Sequence, residues 1–402
     1  MRLLHTSDWH LGRTLHNEPL IEAQRSALQQ IVDIVDSQAI DAVLVAGDVF
    51  DRAVPPVESV TLLADTLQQL TSRVPVVVIS GNHDSAVRLG FGAHLFAHPL
   101  HVRTRAADIG QPVQLLGPDG PLLVYPIPFL DPDAARHSLS DSDEPLERSH
   151  EAVVAAAMDR VRSDLSQRES AAGTPLRSVV VAHAFVVGGA GAEQSRSDSE
   201  RDIRVGGTDS VPAGLFAGVD YVALGHLHGA QQPYSAGDER ARATQLRYCG
   251  SPLRYSFSEV SHTKSVTIVE LDHRGSIEIS TVPLTQPREM AVLVGAIDDL
   301  LDPQRHLDAI DRWVQITVTD PARPEQMFSR LHDRFPHSLV VRHLPASGPL
   351  LVSGGGTGVE ARDPIDVAES FVHYVTGADA TTDELAVFRR AYEAVTAAER
   401  GA

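Results

Sequence analysis

The chain has 402 residues, of which 43% are hydrophobic, and a formal net charge of −19 at pH 7. This length exceeds one hydrophobic core of ordinary size, so we expect two or three domains. The negative charge argues against a chain that binds nucleic acid on its own, because neutralisation of phosphates supplies most of such affinity.

Three features of the sequence bear on where the protein resides. No apolar run is long enough to cross a bilayer, and the chain begins in a predicted strand rather than in a signal peptide. Cys249 is the only cysteine, which excludes an internal disulfide framework and fits a reducing compartment. We therefore expect a cytoplasmic protein that contacts no membrane.

Five apolar runs predict buried strands, and each leads directly into acid, amide or imidazole side chains. In chain order the runs are RLLHTS, AVLVA, VPVVVIS, RSVVVAH and YVALG. The polar residues at their ends are Asp8 and His10, Asp48 and Asp51, Asn82 with His83 and Asp84, His183, and His226 with His228. Ligands bind at the carboxyl ends of strands in parallel α/β sheets, so we expect these side chains to meet at one site.

The remaining segments before residue 286 are typical of an α/β fold. Helical spacing predicts helices at 20–37, 57–71 and 150–165, and their alternation with strands implies a largely parallel sheet. We expect short strands at 98–128 that begin a second sheet, a loop at 131–147 and a long loop at 187–212 beside the site. Strands at 265–271 and 277–283 would close this part of the chain.

A smaller α/β unit begins near residue 287. It comprises an alternating strand at 313–318, a short helix at 325–333 and another strand at 338–343. The Gly-, Pro- and Ser-rich residues that follow predict a flexible linker. The three glycines at 354–356 are not followed by Lys-Ser or Lys-Thr, so they do not form a phosphate loop.

The last segment predicts two short amphipathic helices, at 364–374 and 382–398. Their apolar faces carry Phe371 on the first helix, and Leu385, Phe388 and Tyr392 on the second. Two such helices are too small to form a core of their own. Either they dock on the preceding α/β unit or they bind a partner protein.

The chemistry of the polar set indicates a metal site. Seven residues of the set are the expected ligands: Asp8, His10, Asp48, Asn82, His183, His226 and His228. Their two carboxylates, one amide and four imidazoles, without a thiolate, suit Mn, Fe or Zn ions rather than a closed thiolate zinc site. Seven ligands are too many for one ion, and two ions about 3.5–4 Å apart can clamp the oxygens of an in-line displacement at phosphorus. We expect Asp48 to bridge the ions, because it follows a central strand. The inferred reaction is phosphoester hydrolysis.

Each segment taken alone has a simpler explanation. Asp-x-His after a strand is a weak signal, and Gly-Asn-His-Asp is typical of a turn. His183 alone fits a core histidine with satisfied hydrogen bonds. The order and strand context of the complete set favour the metal site, and alternation puts His226 and His228 on one side of their strand.

With these motifs the chain resembles the calcineurin-type metallophosphoesterases. The opening MRLLHTSDWHLGRTL and the later YCGSPLRYSFSEVSHTKSVTIVEL are similar to a subgroup of nuclease subunits that cut DNA ends and hairpins together with an SMC-like ATPase. The resemblance implies an α/β fold, with a β-sandwich flanked by helices at 1–285 and a small capping domain at 286–345. It also implies a linker at 346–362 and partner-binding helices at 363–402.

The resemblance further implies a role for each site residue. Asp8, His10, Asp48 and His228 would hold one ion, and Asp48, Asn82, His183 and His226 the other. His83 would be the catalytic imidazole. The ions would be Mn²⁺, with Mg²⁺, Fe²⁺ or Zn²⁺ as alternatives, and the protein would form a homodimer.

Two acidic residues need separate treatment. Archaeal and eukaryotic relatives carry a histidine where this chain has Asp51. Asp51 would orient His83 or a catalytic water through its carboxylate, or else serve as a turn residue. Asp84 would hold the tautomer of an imidazole, as carboxylates near metal sites commonly do.

Basic residues flank the motif loops. We expect Arg13, Arg52 and Arg88 to contact DNA, although exposed arginines are usually solvated surface. Arg247, Arg254 and Lys264 flank the later loops.

Two rival functions use the same fold. One is a phosphodiesterase of small molecules or cyclic nucleotides, which would need neither a cap nor tail helices. The other is a non-enzymatic scaffold, which would not be expected to retain the full ligand set.

Overall fold

The computed structural model describes residues 1–95, 99–117, 120–188, 197–198, 200, 210–233, 244–273, 275–345, 380–382 and 384–390. The chain divides into two compact units, Met1–Ala346 and Ser347–Ala402. The first unit contains both the predicted sandwich and the predicted capping domain. The predicted linker lies outside the described residues.

The strands, numbered in chain order, account for both predicted sheets and the cap. They are β1 (Arg2–Thr6), β2 (Thr14–Leu15), β3 (Glu18–Pro19), β4 (Ala42–Ala46), β5 (Val76–Ile79), β6 (Leu100–Arg103), β7 (Val113–Gly117), β8 (Gly120–Ile127), β9 (Arg177–His183), β10 (Val186–Val187), β11 (Val211–Pro212), β12 (Tyr221–Gly225), β13 (Gln245–Tyr248), β14 (Ser265–Leu271), β15 (Ile277–Pro283), β16 (Met290–Gly295), β17 (Trp313–Val318) and β18 (Ser338–His343).

The helices flank these strands. They are α1 (Ile21–Ser37), α2 (Val57–Thr71), α3 (Ala86–Leu89), α4 (Pro132–Ser138), α5 (His150–Ala172), α6 (Ile297–Leu301) and α7 (Met327–Arg334). Short 3₁₀ turns lie at Ala93–Leu95, Ala106–Asp108, Ala213–Phe216, Phe257–Glu259 and Leu307–Ala309. No helix in the described ranges is long and apolar enough to span a membrane.

Two helix predictions were wrong in extent. The predicted loop at 131–147 contains α4, because Asp131 caps its N-terminus and Pro132 occupies the first turn. The predicted end of α5 at residue 165 is seven residues early. An ion pair joins Asp164, inside the predicted helix, to Arg168 on the extra turns, and Gly173 ends the helix in the left-handed conformation with φ 68°.

Two sheets form the sandwich, as predicted. The first has the order β15-β14-β1-β4-β5-β6, with β1, β4, β5 and β6 parallel and the β14–β15 hairpin antiparallel at one edge. The second has the order β13-β12-β9-β8-β7, parallel except for β7. The prediction that 98–128 begins the second sheet holds for β7 and β8. It is wrong for β6, which pairs with β5 in the first sheet.

The core explains why the central strands read as continuous apolar runs. Leu44, Val77, Val181 and Ala223 belong to one buried cluster that joins the two sheets. The outer face of the first sheet packs against α1 and α2, and that of the second against α5. Strands covered on both faces need apolar side chains at every position.

The cap is a three-stranded parallel sheet, β16-β17-β18. Val314, Ile316 and Val318 point to one face, where Leu331 of α7 completes a separate core. Apolar residues from both parts of the unit, including Leu253, Phe257 and Met290, form the cluster that joins the cap to the sandwich. The alternate positions of β17, such as Gln315, lie on the other face.

The tail is described only in part. Residues 382 and 384–390 are helical, and Leu385 and Phe388 on this helix are half-buried. Phe371 and Tyr392 lie outside the described residues.

Candidate metal centre

All five predicted strands are present, and their carboxyl ends meet from two sheets rather than one. β1, β4 and β5 come from the first sheet, and β9 and β12 from the second. Their polar residues form three overlapping groups whose ligand atoms lie within 4.8 Å of one another. The groups are Asp8 with His10 and His228, His10 with Asp48 and His83, and Asp8 with Asp48 and His183.

The loops after β1 and β4 are locked together by main-chain hydrogen bonds. The Asp8 N–H donates to the Gly47 carbonyl (3.0 Å), and the His10 N–H donates to the Asp48 carbonyl (3.0 Å). Asp8, His10 and Asp48 have φ values of 54°, 43° and 48°. Non-glycine residues in this left-handed region cost about 1–3 kcal/mol each and cluster at functional sites, where surrounding contacts hold them.

The motif glycines allow these loops to approach each other. A Cβ at Gly81 would lie 2.1 Å from Asp48 Oδ1, and a Cβ at Gly225 would lie 1.9 Å from the Ala46 carbonyl oxygen. Neither position can accept a side chain. The loops that carry the ligands can therefore meet only because positions 81 and 225 are glycine.

Asp48 lies at the centre of the site. Its Oδ1 accepts a hydrogen bond from the His83 N–H (2.8 Å). Its Oδ2 is 3.6 Å from His10 Nε2 and 3.6 Å from His183 Nε2, and these two histidines come from different sheets. This is the position expected of a carboxylate shared by two ions.

Around Asn82, atoms with lone pairs lie close together, as they do where a cation is bound. His183 Nδ1 donates to the Ala46 carbonyl (2.9 Å), which fixes the tautomer and leaves a lone pair on Nε2. That nitrogen is 2.8 Å from Asn82 Oδ1, and His226 Nδ1 is 3.2 Å from the same oxygen. Lone pairs this close repel each other unless a proton or a cation lies between them. The donor set fits a divalent ion.

Ring nitrogens converge in the same way around His228. His228 Nδ1 is 3.2 Å from the Glu259 carboxylate, and the two Nε2 atoms of His228 and His10 are 3.1 Å apart. Both imidazoles therefore direct a nitrogen to the same point. Asp8 is buried beside them, and both of its carboxylate oxygens accept from the His226 N–H at 3.1 and 3.2 Å.

A buried ion pair that we did not predict supports His228. Glu259 and Lys264 have side chains that are 0% and 1% exposed, and their charged atoms are 2.6 Å apart. Lys264 Nζ also donates to the His228 carbonyl (2.9 Å) and to Ser251 Oγ (2.8 Å). Lys264 thus faces the interior rather than flanking a surface loop. The sequence carries no local signal of this pair.

His83 and Asp51 are in contact, but not through the Asp51 carboxylate. His83 Nδ1 donates to the Asp51 main-chain carbonyl (2.7 Å), so Nε2 is the atom available for chemistry. The Asp51 carboxylate lies 3.3 Å from Arg13 Nη1 and 3.6 Å from His10 Nδ1. The prediction that the Asp51 carboxylate orients His83 is therefore corrected: the Asp51 main-chain carbonyl makes that contact.

Asp84 also differs from its prediction. Its carboxylate accepts main-chain N–H groups of Val49 (3.1 Å), Phe50 (2.8 Å) and Gly81 (2.9 Å). It therefore fixes the loops that carry Asp48 and Asn82 instead of an imidazole tautomer. Three converging N–H donors outcompete a single imidazole for a carboxylate.

The electrostatics of the buried site favour a cation. Burial raises the pKa of Asp8 and of Asp48 to about 7. Burial lowers the pKa of His10 well below its usual value and that of His228 to about 4. Neutral imidazoles are the form that binds metal, and a cation offsets the cost of two buried carboxylates.

The three arginines predicted to contact DNA occupy different settings. Arg13 is largely covered and lies over the Tyr255 ring at 5.3 Å. Arg88 is exposed and donates to the Ala53 carbonyl (2.7 Å), and Arg52 is exposed. Arg254 pairs with Glu289 at 2.6 Å.

The sequence profile of the calcineurin-like phosphoesterase family matches residues 1–230, more than half of the chain. The chain belongs to this family. It is a metal-dependent hydrolase of phosphoesters, and the clustered acids and imidazoles are its candidate metal ligands.

The similarity to one curated relative identifies the subgroup within this family. The chain is 28% identical over 347 residues to the D subunit of the SbcCD nuclease of Staphylococcus epidermidis, and the match covers 86% of each chain. The subgroup that the sequence resembles is that of SbcD, so this similarity confirms the prediction.

Two solved structures are more distant. TT1561 of Thermus thermophilus is 15% identical with a TM-score of 0.38, covering 70% of this chain and 98% of its own. GAP50, the anchor in the inner membrane complex of Plasmodium, is 11% identical with a TM-score of 0.36, covering 87% of this chain and 99% of its own. Neither similarity is close enough to inform the function.

Proposed function

We propose that this chain is a two-metal nuclease that hydrolyses DNA phosphodiesters. The observation that carries the proposal is the meeting of acid–imidazole groups at Asp48, whose Oδ2 lies 3.6 Å from His10 and from His183. One ion cannot use all the converging ligands, whereas two ions that share Asp48 can. The name of the relative, part of a nuclease matched over 86% of each chain, supports a nucleic acid as the substrate.

The ligands divide into two sets around the shared carboxylate. The contacts described above support one set of Asp8, His10, Asp48 and His228, and another of Asp48, Asn82, His183 and His226. Mixed oxygen and imidazole donors suit Mn²⁺, which we propose as the ion.

The ions, when bound, supply a clamp for phosphate oxygens and a more acidic water. The chain's own residues orient the substrate and move a proton. The Asp51 carbonyl holds His83 by Nδ1, so that protonated Nε2 can donate to an oxygen of the scissile phosphate or to the leaving oxygen. Asp84 keeps the loops of Asp48 and Asn82 rigid through three main-chain N–H groups.

We propose exonuclease action on double-stranded ends and endonuclease action on hairpins. The nuclease domain would span 1–285, with the cap at 286–345, and a DNA substrate favours the cytoplasm. A small-molecule or cyclic-nucleotide phosphodiesterase remains the second candidate. An enzyme for such small substrates needs no additional sheet. In this chain the cap packs on the sandwich, because Tyr255 and Phe257 form one cluster with Met290 of the cap.

One comparison of substrates tests the proposal. The purified chain with manganese is offered a hairpin duplex, a cyclic dinucleotide and p-nitrophenyl esters under the same conditions. We expect the hairpin to be turned over with the highest kcat/KM. Preferential turnover of the cyclic dinucleotide or the esters would replace the nuclease by the second candidate.

We propose that the tail at 363–402 docks on an SbcC-type, SMC-like ATPase. The half-buried Leu385 and Phe388 on a described helix support an apolar face there. The unit boundary after Ala346 supports a tail that can be removed without loss of the catalytic unit.

Truncation after Ala346 tests the tail. We expect metal-dependent cleavage of small or single-stranded substrates to persist, and co-purification with SbcC to be lost. Leu385→Glu should have the same effect, because burying an unpaired carboxylate costs several kcal/mol, about 3–5. Co-purification of the truncated chain with SbcC would place the partner site elsewhere.

We also propose a homodimer, with an apolar patch on α2 and α3 as its interface. Exposed apolar side chains concentrate there, including Val57 (81%), Val87 (85%) and Phe91 (84%). Phe91, together with the exposed Val54 and Val60, lines a cavity of about 720 Å³ whose lining is mostly apolar. Large exposed apolar patches on soluble proteins mark interaction sites.

A pair of charge substitutions tests the dimer. Phe91→Glu should give a monomer in sedimentation velocity, because the carboxylate would be buried at the interface. Leu116→Glu is the matched control, since Leu116 is 80% exposed on β7, away from α2 and α3. A wild-type chain that sediments as a monomer would overturn the proposal.

A further inference from the structure

A second cavity lies beside the metal centre, between the sandwich and the cap. It has a volume of about 470 Å³, within the range of small-ligand sites. Loop residues Arg13 and His16 line one side, Tyr255 and Phe257 line another, and Gln315 and Arg342 of the cap sheet complete it. We call it the cap cavity.

The cap cavity adjoins the metal centre, because two of its lining residues also contact residues of that centre. The Tyr255 ring lies 5.4 Å from the His10 ring and 5.7 Å from the His228 ring. Arg13 lies over the same tyrosine and contacts Asp51 at 3.3 Å. The cavity therefore lies next to the point at which a bound chain would be cut.

The charges of the cap cavity suit an anion. Two guanidinium groups, Arg13 and Arg342, and one carboxylate, that of Asp198, line it. Arg13 is paired with Asp51, so Arg342 supplies the free positive charge. Within the described part of the chain Arg342 makes no ion pair, although the whole chain carries a net charge of −19. An unpaired arginine in a concave site is well placed to bind phosphate, since its planar fork matches phosphate oxygens.

The cap cavity also presents a flat ring. His16 is exposed, has a left-handed φ of 48° and stacks on Phe257 with ring centres 5.6 Å apart at 27°. His16 and Asn17 form the two-residue turn of the β2–β3 hairpin, which accounts for the positive φ and holds the ring on an exposed loop. Bases of single strands stack on rings presented in this way, next to cationic grooves.

We propose that the cap cavity binds the nucleotide next to the scissile phosphodiester, with its phosphate at Arg342 and Arg13 and its base on His16. This inference rests on the proposed nuclease function and adds a specificity site to it. It makes the cap part of the substrate site, because Arg342 and Gln315 reach the cavity from β18 and β17. Small diesters that lack a neighbouring nucleotide would leave the cavity unused.

The experiment compares two substrates of the full chain with manganese. One is bis(p-nitrophenyl) phosphate, which has no neighbouring nucleotide, and the other is a short oligothymidylate. For Arg342→Ala we expect kcat/KM on the oligothymidylate to fall about 10- to 100-fold, the effect of one charge-assisted hydrogen bond. The diester should change by less than about twofold. Arg342→Lys should recover part of the loss, because it keeps the charge without the fork.

A salt titration adds a readout that a misfolded cap would not imitate. The slope of log affinity against log salt should become shallower by about 0.7 in Arg342→Ala, which is one phosphate contact on a single strand. Arg312→Ala is the matched control, since Arg312 lies on the same cap but pairs with Asp308 and lines a different cavity. It should leave both substrates and the slope unchanged.

The outcomes separate this inference from the proposed function. Equal losses on both substrates, or none, in Arg342→Ala would overturn the nucleotide site while leaving nuclease activity in place. A wild-type chain that cleaves the diester but not the oligothymidylate would overturn the proposed function, and this inference with it.

Discussion

The buried Glu259–Lys264 pair should govern both stability and metal affinity through His228. The Glu259 carboxylate lies 2.6 Å from Lys264 Nζ and 3.2 Å from His228 Nδ1, with both members of the ion pair at most 1% exposed. Burial alone would raise the pKa of Glu259, but Lys264 and His228 hold it well below its usual value. The carboxylate is therefore charged, and its removal leaves a buried ammonium without a counter-charge.

The magnitudes follow from that burial. Glu259→Gln should lower the free energy of unfolding by about 3–5 kcal/mol, the cost of stranding one charge of a buried pair. Loss of a carboxylate that supports a metal-binding histidine should weaken metal binding by about 10- to 100-fold. The double variant Glu259→Gln/Lys264→Met removes both charges, so it should recover most of the stability. It should not recover the metal affinity, because His228 still lacks its carboxylate.

The assays are urea unfolding in chelator and calorimetric titration with manganese. Glu289→Gln is the matched control, since it breaks the Arg254–Glu289 pair, which has the same 2.6 Å distance but a half-exposed carboxylate. An exposed pair contributes about 0–1 kcal/mol, so this variant should change neither quantity appreciably. If Glu259→Gln had the same free energy of unfolding and the same manganese affinity as the wild type, the pair would have no role in holding His228.

Three further predictions concern the metal centre itself. Asp48→Ala should abolish binding of both ions in a manganese titration, whereas Asp8→Ala should mainly weaken one; equal losses would count against the bridge. His83→Gln should leave metal content intact and reduce turnover by about 10²- to 10⁴-fold, and loss of metal in that variant would make His83 a ligand instead. Because burial raises the folded-state pKa of Asp8 and of Asp48 from 3.8 to about 7, the stability that these two groups contribute to the ion-free protein should be lost as pH rises through that range, and manganese should raise the melting temperature more near pH 8 than near pH 5.5. A rise of the same size at both pH values would contradict the assignment of these carboxylates as ligands.

The sequence by itself determined the strands, the nature of the ligands and the family. Five apolar runs became five strands, and α2 has the predicted bounds, because a periodic or continuous apolar pattern reports burial locally. The acid, amide and imidazole residues directly follow those strands, so parallel pairing gathers them at one edge of each sheet. The packing of the two sheets then joins the two groups at Asp48.

Only the tertiary structure decided the contacts between charged groups that are distant in the chain. Lys264 looks in sequence like a surface cation, yet it is buried because Glu259 and the His228 carbonyl satisfy it. Asp84 binds main-chain N–H groups 34 and 35 residues away, a choice that depends on where the β4 loop comes to lie. Arg342 lines the cavity beside the metal centre only because the cap folds back onto the sandwich. A charged side chain carries no local signature of its partner, since either water or a buried counter-charge can satisfy it.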